Sequence, residues 1–161
     1  MKKHSLPVTL RPMEPTDASF LLNVYASTRT HELQAWGWDA AQRDMFVAMQ
    51  WSAQQQGYRT QFPHAQQHIV CLEACCIGYL TVDAHDEVVH IVDIALLPPY
   101  RNNGIGGTLL QNVLAHATHD GQRVRLRVVH NNPARRLYAR LGFQVMADTG
   151  THYIMEVEPR T

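Results

Sequence analysis

L-L-P-P-Y-R-N-N-G-I-G-G, residues 96–107, separates a nearly continuous apolar run from an amphipathic segment. The run, Val88–Leu97, is long and almost without polar residues, which is typical of a strand covered on both faces. In the segment that follows, apolar residues recur every four positions and predict a helix over Ile105–His119. Residues 96–107 are therefore predicted to form a glycine-rich turn that leads from a buried strand into a helix.

This turn has the properties of an anion-binding site. Unpaired backbone N–H groups and the positive end of the helix dipole meet at the start of a helix. Gly104 and Gly106 allow the backbone to approach a bulky anion, and Arg101 adds a positive charge with a forked set of donors. No Gly-Lys-Ser/Thr follows, so the turn is not a P-loop, and Leu109 replaces the third glycine of the dinucleotide pattern. Glycines that serve only the turn are the alternative interpretation.

The segments before this turn predict one strand, two helices and three further strands. Asp39 with Gln42 resembles a capping box at the start of the second helix. The glutamine-rich residues 54–68 are predicted to form a surface connection. The predicted elements are a strand at Val8–Arg11, helices at about Asp17–Thr30 and Asp39–Gly57, and strands at Ile69–Glu73, Ile77–Val82 and Val88–Leu97.

The segments after the turn predict a strand, a short helix and a hairpin. Val124–Val129 is expected to lie parallel to Val88–Leu97, because a strand, a helix and a second strand follow one another and form a right-handed crossover. Asn132 and Pro133 are expected to start the short helix. Phe143–Ala147 and Tyr153–Val157 are expected to form the hairpin.

Composition limits the class of protein. The chain has 161 residues, 45% hydrophobic and 17% charged, without a repeat or an internal boundary, so we expect one domain over residues 1–161. Fourteen basic and fourteen acidic residues cancel, which argues against a nucleic-acid partner. Met1–Pro12 contains no apolar segment long enough for a signal peptide, and no window approaches a membrane span. We therefore expect a cytoplasmic protein without a membrane partner.

Cysteine and histidine do not indicate a metal site. Cys71, Cys75 and Cys76 are interpreted as reduced thiols. Ten histidines include pairs at helical spacing, His64 with His68 and His116 with His119, but no cysteine or carboxylate clusters with them. We expect no bound metal.

The turn at residues 96–107, followed by Asn131-Asn132-Pro133-Ala134 and by Leu137-Tyr138-Ala139-Arg140-Leu141-Gly142-Phe143, closely resembles the GNAT superfamily of acetyltransferases. The resemblance is specific over residues 88–143 and extends over the chain by element order. It implies an α/β fold with a mixed, mostly antiparallel sheet of six to seven strands and about four helices. The fourth and fifth strands of this sheet are parallel and splay apart.

The resemblance also implies acetyl-CoA as co-substrate. Asn102 and Asn103 replace the commoner glycine and lysine or glutamine of the family, which is expected to change affinity more than role. By the resemblance, pantetheine contacts come from the backbone of Ile94, Ala95 and Leu96 and from Asn131, pyrophosphate contacts from Arg101, Asn102, Asn103, Gly104, Ile105, Gly106 and Gly107, and a contact near the sulfur from Tyr138.

Acetyl transfer to an amine requires removal of a proton, because an amine with a pKa of about 10.4 is almost fully protonated at neutral pH. His90 and Asp93 are candidate bases, and three positions separate them, so on a regular strand they point to opposite faces. A bulge would change their directions. His90 is slightly favoured because its ordinary pKa is near neutrality. The alternative role of Asp93 is a structural pair with Arg125 or Arg127.

Tyr138 is the candidate acid beside the leaving thiolate, and the backbone N–H of Leu96 or a neighbour is a candidate donor to the thioester carbonyl. Glu32–Trp38 and Asp148–His152 are expected to form the walls of the acceptor pocket, with acids that attract an ammonium and tryptophans that stack on it.

The predicted function is transfer of an acetyl group from acetyl-CoA to a primary amine of a small molecule or peptide, by direct attack in a ternary complex. No residue is a candidate covalent nucleophile. The alternative is a sensor that binds acyl-CoA without turnover. The protein is expected to be a monomer or a homodimer.

Overall fold

The computed structural model describes residues 7–159, which form a seven-stranded mixed sheet with helices on both faces. In chain order the elements are β1 (Val8–Pro12), α1 (Ala18–Thr28), α2 (Thr30–Gln34), α3 (Ala40–Gln61), β2 (Gln66–Leu72), β3 (Cys75–His85), β4 (Val88–Leu96), α4 (Ile105–His119), β5 (Arg123–Val129), α5 (Arg135–Arg140), β6 (Gln144–Asp148) and β7 (His152–Val157). Short 3₁₀ turns lie at Pro15–Asp17 and Pro98–Tyr100.

The strands lie in the order β1-β2-β3-β4-β5-β7-β6. β4 and β5 are parallel, and the other neighbouring pairs are antiparallel. The described residues thus contain seven strands and five helices, and the predicted fold class is confirmed. The crossover through α4 places that helix and α5 on one face of the sheet, whereas α1–α3 cover the other.

Both faces of the sheet are buried. On one face Leu109 and Leu110 of α4 pack into the same core as Leu126 of β5. On the other face Val24 of α1 packs against Ile69 of β2, and both are fully buried. Burial on two faces explains why β4, in the middle of the sheet, is apolar along most of its length.

β4 is paired on both edges only in its first half. Val88–Ile91 pairs with β5, and beyond Ile91 the two strands separate, as the splayed arrangement requires. The register with β3 also changes at this point, because Asp93 lies opposite Thr81 while Ile91 lies opposite the next residue of β3. Val92 is therefore an extra residue in β4, which makes it a β-bulge.

Two segments predicted as connections are helical instead. α3 continues to Gln61, so most of the glutamine-rich segment forms its last turns rather than a surface connection. Glutamine has a high helix propensity, and one glycine inside a helix is tolerated at a cost of about 1 kcal/mol. α2 occupies the start of the predicted loop Glu32–Trp38. The capping box of α3 is confirmed, with Gln42 N donating to Asp39 Oδ1 at 2.8 Å and Asp39 N donating to Gln42 Oε1 at 3.1 Å.

Among the helices in residues 7–159, none is both long enough and apolar enough to cross a membrane. The prediction that Met1–Pro12 carries no signal segment falls partly on residues outside the described range. The same holds for the outer ends of the predicted domain, residues 1–6 and 160–161.

Candidate active site

The bulge at Val92 determines where the two candidate bases point. Ile91 and Ile94 are three positions apart, yet both pack against the core that contains α4. The alternation of side chains has therefore shifted by one residue between them. As a result His90 and Asp93 both lie on the other face of the sheet, toward α1–α3. The prediction that they point to opposite faces is wrong, because the extra residue restores a common direction.

A cavity of about 370 Å³ opens where β4 and β5 separate. Asp93 from β4 and Tyr138 from α5, two of the three predicted catalytic residues, both line it. The third, His90, lies in an adjacent cavity of about 500 Å³. Tyr58 of α3 and Arg127 of β5 line both cavities and form the boundary between them. We refer to the first as the splay cavity and to the second as the basal cavity.

Asp93 is a half-buried carboxyl group in the wall of the splay cavity. Burial raises its pKa to about 6, and hydrogen bonds from the Tyr79 hydroxyl and the Ile94 backbone amide act in the opposite direction. Among the described residues it forms no ion pair, and Arg125 binds Glu156 instead, with its Nε at 3.1 Å and its terminal nitrogen at 3.0 Å from the same oxygen. The predicted structural pair of Asp93 with an arginine is thus contradicted.

Tyr138 lies on the inner side of α5 and lines the same cavity as Asp93. Its side chain is 8% exposed, and its ring packs edge-on against Phe143 with centroids 5.9 Å apart. Burial raises the pKa of Tyr138 to about 12, and the charge of Asp93 adds to this shift. The hydroxyl is therefore protonated at neutral pH and can act as a donor inside the cavity.

The second half of β4 presents unpaired backbone groups to the gap. Leu97 N donates to Ile77 O of β3 at 2.8 Å, so by the alternation of an antiparallel ladder Ala95 also bonds toward β3. Ile94 and Leu96 consequently direct their N–H and C=O groups toward β5, which no longer pairs there. The Ile94 N–H donates to the Asp93 carboxyl group and Leu96 O accepts from Arg101, which leaves Ile94 C=O and Leu96 N–H directed at the gap. Of the three residues predicted to pair with pantetheine, Ile94 and Leu96 direct backbone groups toward the gap, whereas the backbone of Ala95 bonds toward β3 although this residue lines the splay cavity.

The turn before α4 leaves the start of that helix open. Gly104 is the N-cap with φ of 81°, Asn102 is also left-handed with φ of 62°, and no side chain caps the helix. The first backbone N–H groups of α4 therefore lack helical partners, as an anion site requires. A Cβ on Gly106 or Gly107 would lie 3.9 Å or 3.5 Å from Leu137 of α5, which is ordinary van der Waals contact, so the packing of α4 on α5 does not itself require glycine at these positions. Ile105, just before them, packs against the core.

Arg101 is engaged by the protein itself. Its Nε donates to Leu96 O at 2.9 Å, and a terminal nitrogen donates to Ser27 Oγ of α1 at 3.0 Å. Asn103 similarly donates to Pro99 O at 3.3 Å. The guanidinium charge is thus held beside the turn, while two of its nitrogen atoms connect the turn to β4 and to α1.

Of the two neighbouring asparagines, Asn132 lines the splay cavity. Its Oδ1 accepts a hydrogen bond from Ala134 N at 2.9 Å, which supports the start of α5. Asn131, predicted beside the pantetheine, is exposed in the turn just before it and is not part of the cavity wall.

The predicted acceptor walls are partly correct. Glu32 and His152 line the splay cavity. Trp36 and Trp38 do not line it, because they pack with Phe46 of α3 in a cluster whose ring centroids are 5.1–5.3 Å apart. The prediction that tryptophans stack on the acceptor is therefore not supported by their positions.

Three residues of the cavities were not recognised from the sequence as site residues. Tyr58 lies in the segment predicted as a connection. In a helix that continues past Gly57, Tyr58 follows Gln54 by one turn and lies on the same face, and both residues line the cavities. Tyr79 was one apolar residue among many in β3. Arg127 was considered only as a structural partner of Asp93, but it is exposed on the wall of both cavities.

A sequence profile described as the acetyltransferase (GNAT) family matches residues 28–143, well over half of the chain. Two curated relatives match shorter segments. The Drosophila melanogaster protein named "Probable N-acetyltransferase san" is 32% identical over 74 residues, which is 44% of this chain and 40% of that protein. The N-alpha-acetyltransferase of Sulfolobus acidocaldarius is 45% identical over 58 residues, or 34% of each chain. The chain thus spans less than half the length of these two relatives.

Solved structures share the fold over nearly the whole length. The PaiA N-acetyltransferase of Thermoplasma acidophilum, solved in complex with coenzyme A, superposes with a TM-score of 0.70 at 20% identity, over 94% of this chain and 99% of that one. An acetyltransferase of Thermus thermophilus gives a TM-score of 0.68 at 21% identity, over 95% and 97% of the two chains. At sequence identities of 20% and 21%, these superpositions show a shared fold.

Proposed function

The chain belongs to the GNAT acetyltransferase family, and on this premise we propose that it transfers an acetyl group from acetyl-CoA to a primary amine by direct attack in a ternary complex. The predicted family is confirmed, and the acetyltransferase activity is the proposal made here. The observation that carries the proposal is the splay cavity, where a carboxyl group with a pKa near 6 and a protonated tyrosine line one space beside strand edges that β4 and β5 do not pair.

Two features of the chain support binding of the pyrophosphate and the pantetheine arm of coenzyme A. The uncapped start of α4 provides backbone donors and a positive dipole for the pyrophosphate, and Arg101 adds a fixed charge beside it. The edge formed by Ile94 and Leu96 suits the amide groups of an extended pantetheine arm. When bound, acetyl-CoA supplies the acetyl thioester, and all other groups required for the reaction come from the acceptor and the protein.

Asp93 is the proposed general base. With a pKa of about 6 it is ionised at pH 7, yet it is far more basic than an ordinary aspartate and therefore better matched to the proton that the amine must lose. It takes that proton directly or through one water molecule. The amine nitrogen then forms a bond to the acetyl carbonyl carbon as the carbon–sulfur bond breaks.

Tyr138 is the proposed general acid. Its hydroxyl donates a hydrogen bond to the departing thiolate, whose conjugate thiol has a pKa of about 8.5. Because the Tyr138 pKa lies near 12, the donated hydrogen bond strengthens as charge develops on sulfur, and the complete proton transfer is finished by solvent. The N–H of Leu96, which faces the gap, is the proposed donor to the carbonyl oxygen of the thioester.

His90 has a different environment. It lies on the same face as Asp93 but three residues earlier, roughly 10 Å along the strand, and its ring packs on Phe62 with centroids 5.1 Å apart. Burial, and then the charge of Arg125, lower its pKa, so it is neutral at pH 7. We therefore assign the base to Asp93, and His90 contributes to the wall of the basal cavity.

A cofactor-binding test uses two glycines at opposite ends of α4. Gly104 and Gly121 both have positive φ, 81° and 68°, and a Cβ at either position would meet no neighbour within 4 Å. Gly104→Val should weaken acetyl-CoA at least about tenfold in calorimetry, because the side chain blocks approach of the anion to the helix start. Gly121→Val carries a similar backbone strain far from the site and should leave the affinity unchanged. Equal affinities for both folded variants would remove the turn from the site.

A turnover test separates an enzyme from a sensor. The protein is incubated with acetyl-CoA and a panel of primary amines and peptides, and release of free thiol is followed. An acetyltransferase releases thiol in proportion to an N-acetylated product identified by mass spectrometry. A sensor would bind acetyl-CoA with the same dependence on Gly104 and release none with any acceptor.

A further inference from the structure

The basal cavity carries more positive charge than the splay cavity. The splay cavity is lined by the carboxyl groups of Asp93 and Glu32 and by the guanidinium groups of Arg29 and Arg127, next to the gap where acetyl transfer is proposed. The basal cavity is lined by two arginines and two histidines, and by no carboxylate among the described residues. The two spaces share Arg127 and His152, so an acceptor whose amine lies at Asp93 meets cationic side chains on the wall toward the basal cavity.

Most of the cations near these cavities are neutralised by partners. Arg125 binds Glu156 with two nitrogen atoms, and Arg29 binds Glu32 at 3.0 Å. Arg127 differs from both. Within residues 7–159 it forms no hydrogen bond through its side chain and no ion pair, and it is exposed to the cavities.

Arg127 also has a defined position relative to Asp93. It is the first residue of β5 beyond the last pair that joins β4 to β5, at Ile91 and Leu126. Its side chain projects to the same face as Asp93, since β5 buries the alternate residues Leu126 and Val128 on the opposite face. Burial is the main cause that raises the pKa of the Tyr58 hydroxyl, and the charge of Asp93 raises it further while that of Arg127 lowers it, so this hydroxyl lies within electrostatic reach of both charges. The two charges therefore stand on either side of one small space.

We propose that the acceptor is an amine that also carries an anionic oxygen group, a carboxylate or a phosphonate or phosphate, and that Arg127 binds this group while the amine lies at Asp93. The inference rests on the proposed function and specifies its acceptor class. A guanidinium offers a planar fork of donors to such a group, and an exposed arginine without a partner loses little when it binds one. His152, like Arg127, lines both cavities.

The first test compares acceptors that differ only at the end remote from the amine. A series of ω-aminocarboxylates of increasing chain length, starting at β-alanine, is assayed beside the amide and the diamine of each length, and aminophosphonates form a further arm. At the best length, kcat/KM for the anionic acceptor should exceed that of the amide and of the diamine at least about tenfold, mainly through KM. The ratio of carboxylate to phosphonate identifies which anion the site prefers.

The second test uses variants of the cation. Arg127→Gln should remove most of the preference for the anionic acceptor by raising its KM, and Arg127→Glu should make the diamine the better acceptor. Arg140→Gln, an exposed position on α5, is the matched control and should keep the wild-type preference. A preference for the amide or diamine at every length, or an anion preference that survives Arg127→Gln, would overturn the inference.

Binding measurements keep the inference separate from the proposed function. Calorimetry of the same acceptors with CoA-saturated protein reports recognition without requiring turnover. Anion-dependent binding that disappears in Arg127→Gln supports the inference even if no thiol is released, in which case the proposed transferase activity fails alone. Thiol release without any dependence on the anionic group supports the activity and rejects the inference.

Discussion

Val88–Ile91 and Val92–Leu96 are consecutive halves of one apolar strand, yet their neighbours differ. The first half is paired on both edges, and its polar residue, His90, lies directly between Asp83 of β3 and Arg125 of β5. The second half is paired on one edge, and its polar residue, Asp93, faces a cavity. The comparison teaches that a change in pairing, rather than a change in composition, turns part of a core strand into a site.

The largest effect is expected on stability, at the contact between the second half of β4 and β3, its one remaining partner strand. A Cβ on Gly78 of β3 would collide with the carbonyl oxygen of Ala95 and come within 2.8 Å of Leu96 Cδ2. Gly78→Ala should therefore lower the free energy of unfolding by about 2 to 4 kcal/mol, as measured by urea denaturation. Gly57→Ala, in an open position of α3, should raise it by about 0.5 to 1 kcal/mol. Equal stability of Gly78→Ala and wild type would mean that β3 does not fix this half.

The next effect concerns catalysis at Asp93. Asp93→Asn should retain the fold and the affinity for acetyl-CoA but lower kcat by about 10² to 10³, because the amide cannot accept the proton of the amine. In the wild type the acidic limb of the pH profile of kcat/KM should fall near pH 6, the pKa of this carboxyl group. Steady-state kinetics over pH 5–9 measure both. A variant with wild-type turnover would remove Asp93 from the reaction.

The same variant gives a control on stability. Burial raises the pKa of Asp93 from 3.8 to about 6, so the folded state binds this proton more tightly than the unfolded chain. The contribution of this group to the free energy of unfolding therefore falls as pH rises from about 4 to about 6, and it is constant above. Asp93→Asn should equal or exceed the wild type in stability at pH 7.5, by up to about 1 to 3 kcal/mol, and the excess should shrink toward pH 5.

A smaller catalytic effect is expected across the gap. Tyr138→Phe should keep the fold and the cofactor affinity and lower kcat by about tenfold to a hundredfold, because the lost hydroxyl meets charge that develops only as the thiolate leaves. The measurement requires conditions in which chemistry limits turnover, as shown by the absence of a burst. An unchanged kcat under those conditions would assign Tyr138 to the core alone.

The smallest effect is expected in the first half of the strand. His90→Gln should change kcat by less than about threefold and leave the acidic limb in place, because this side chain lies outside the splay cavity. Melting temperature serves as the control for loss of packing against Phe62. If this variant flattens the acidic limb and Asp93→Asn does not, then His90 is the base and the contrast between the two halves fails.

The sequence predicted those elements whose pattern is periodic. The hydrophobic repeat of α4 gave Ile105–His119, and the capping pair gave the start of α3, because both signals are local and short in range. The order of strand, helix and strand similarly predicted the parallel pair. α2, only five residues long, has too few turns to show a period, and a glycine within a run of glutamines concealed the end of α3.

The relative directions of the His90 and Asp93 side chains could not be predicted from a periodic pattern. A strand that is apolar on both faces shows no alternation against which an extra residue stands out. One signal was present in the sequence. The aliphatic side chains that face the main core are at odd positions before the bulge, Val89 and Ile91, and at even positions after it, Ile94 and Leu96. The sequence suggested Arg125 as a partner of Asp93. Arg125 instead pairs with Glu156, which lies on a strand about thirty residues further along the chain, and such a distant pairing could not be predicted from local sequence.

The open half of β4 also bears on how this chain avoids association with its own kind. An unpaired strand edge is a template on which a second chain can add a strand, and exposed edges are a common origin of aggregation. Here the unpaired edge lies between β4 and β5, inside the sheet rather than at its margin, with helices over both faces. A strand from another molecule would have to enter between β4 and β5 to pair with this edge, whereas an extended ligand needs only the width of the gap. The location of this hydrogen-bonding edge therefore favours contact with a thin ligand over pairing with a strand of a second chain.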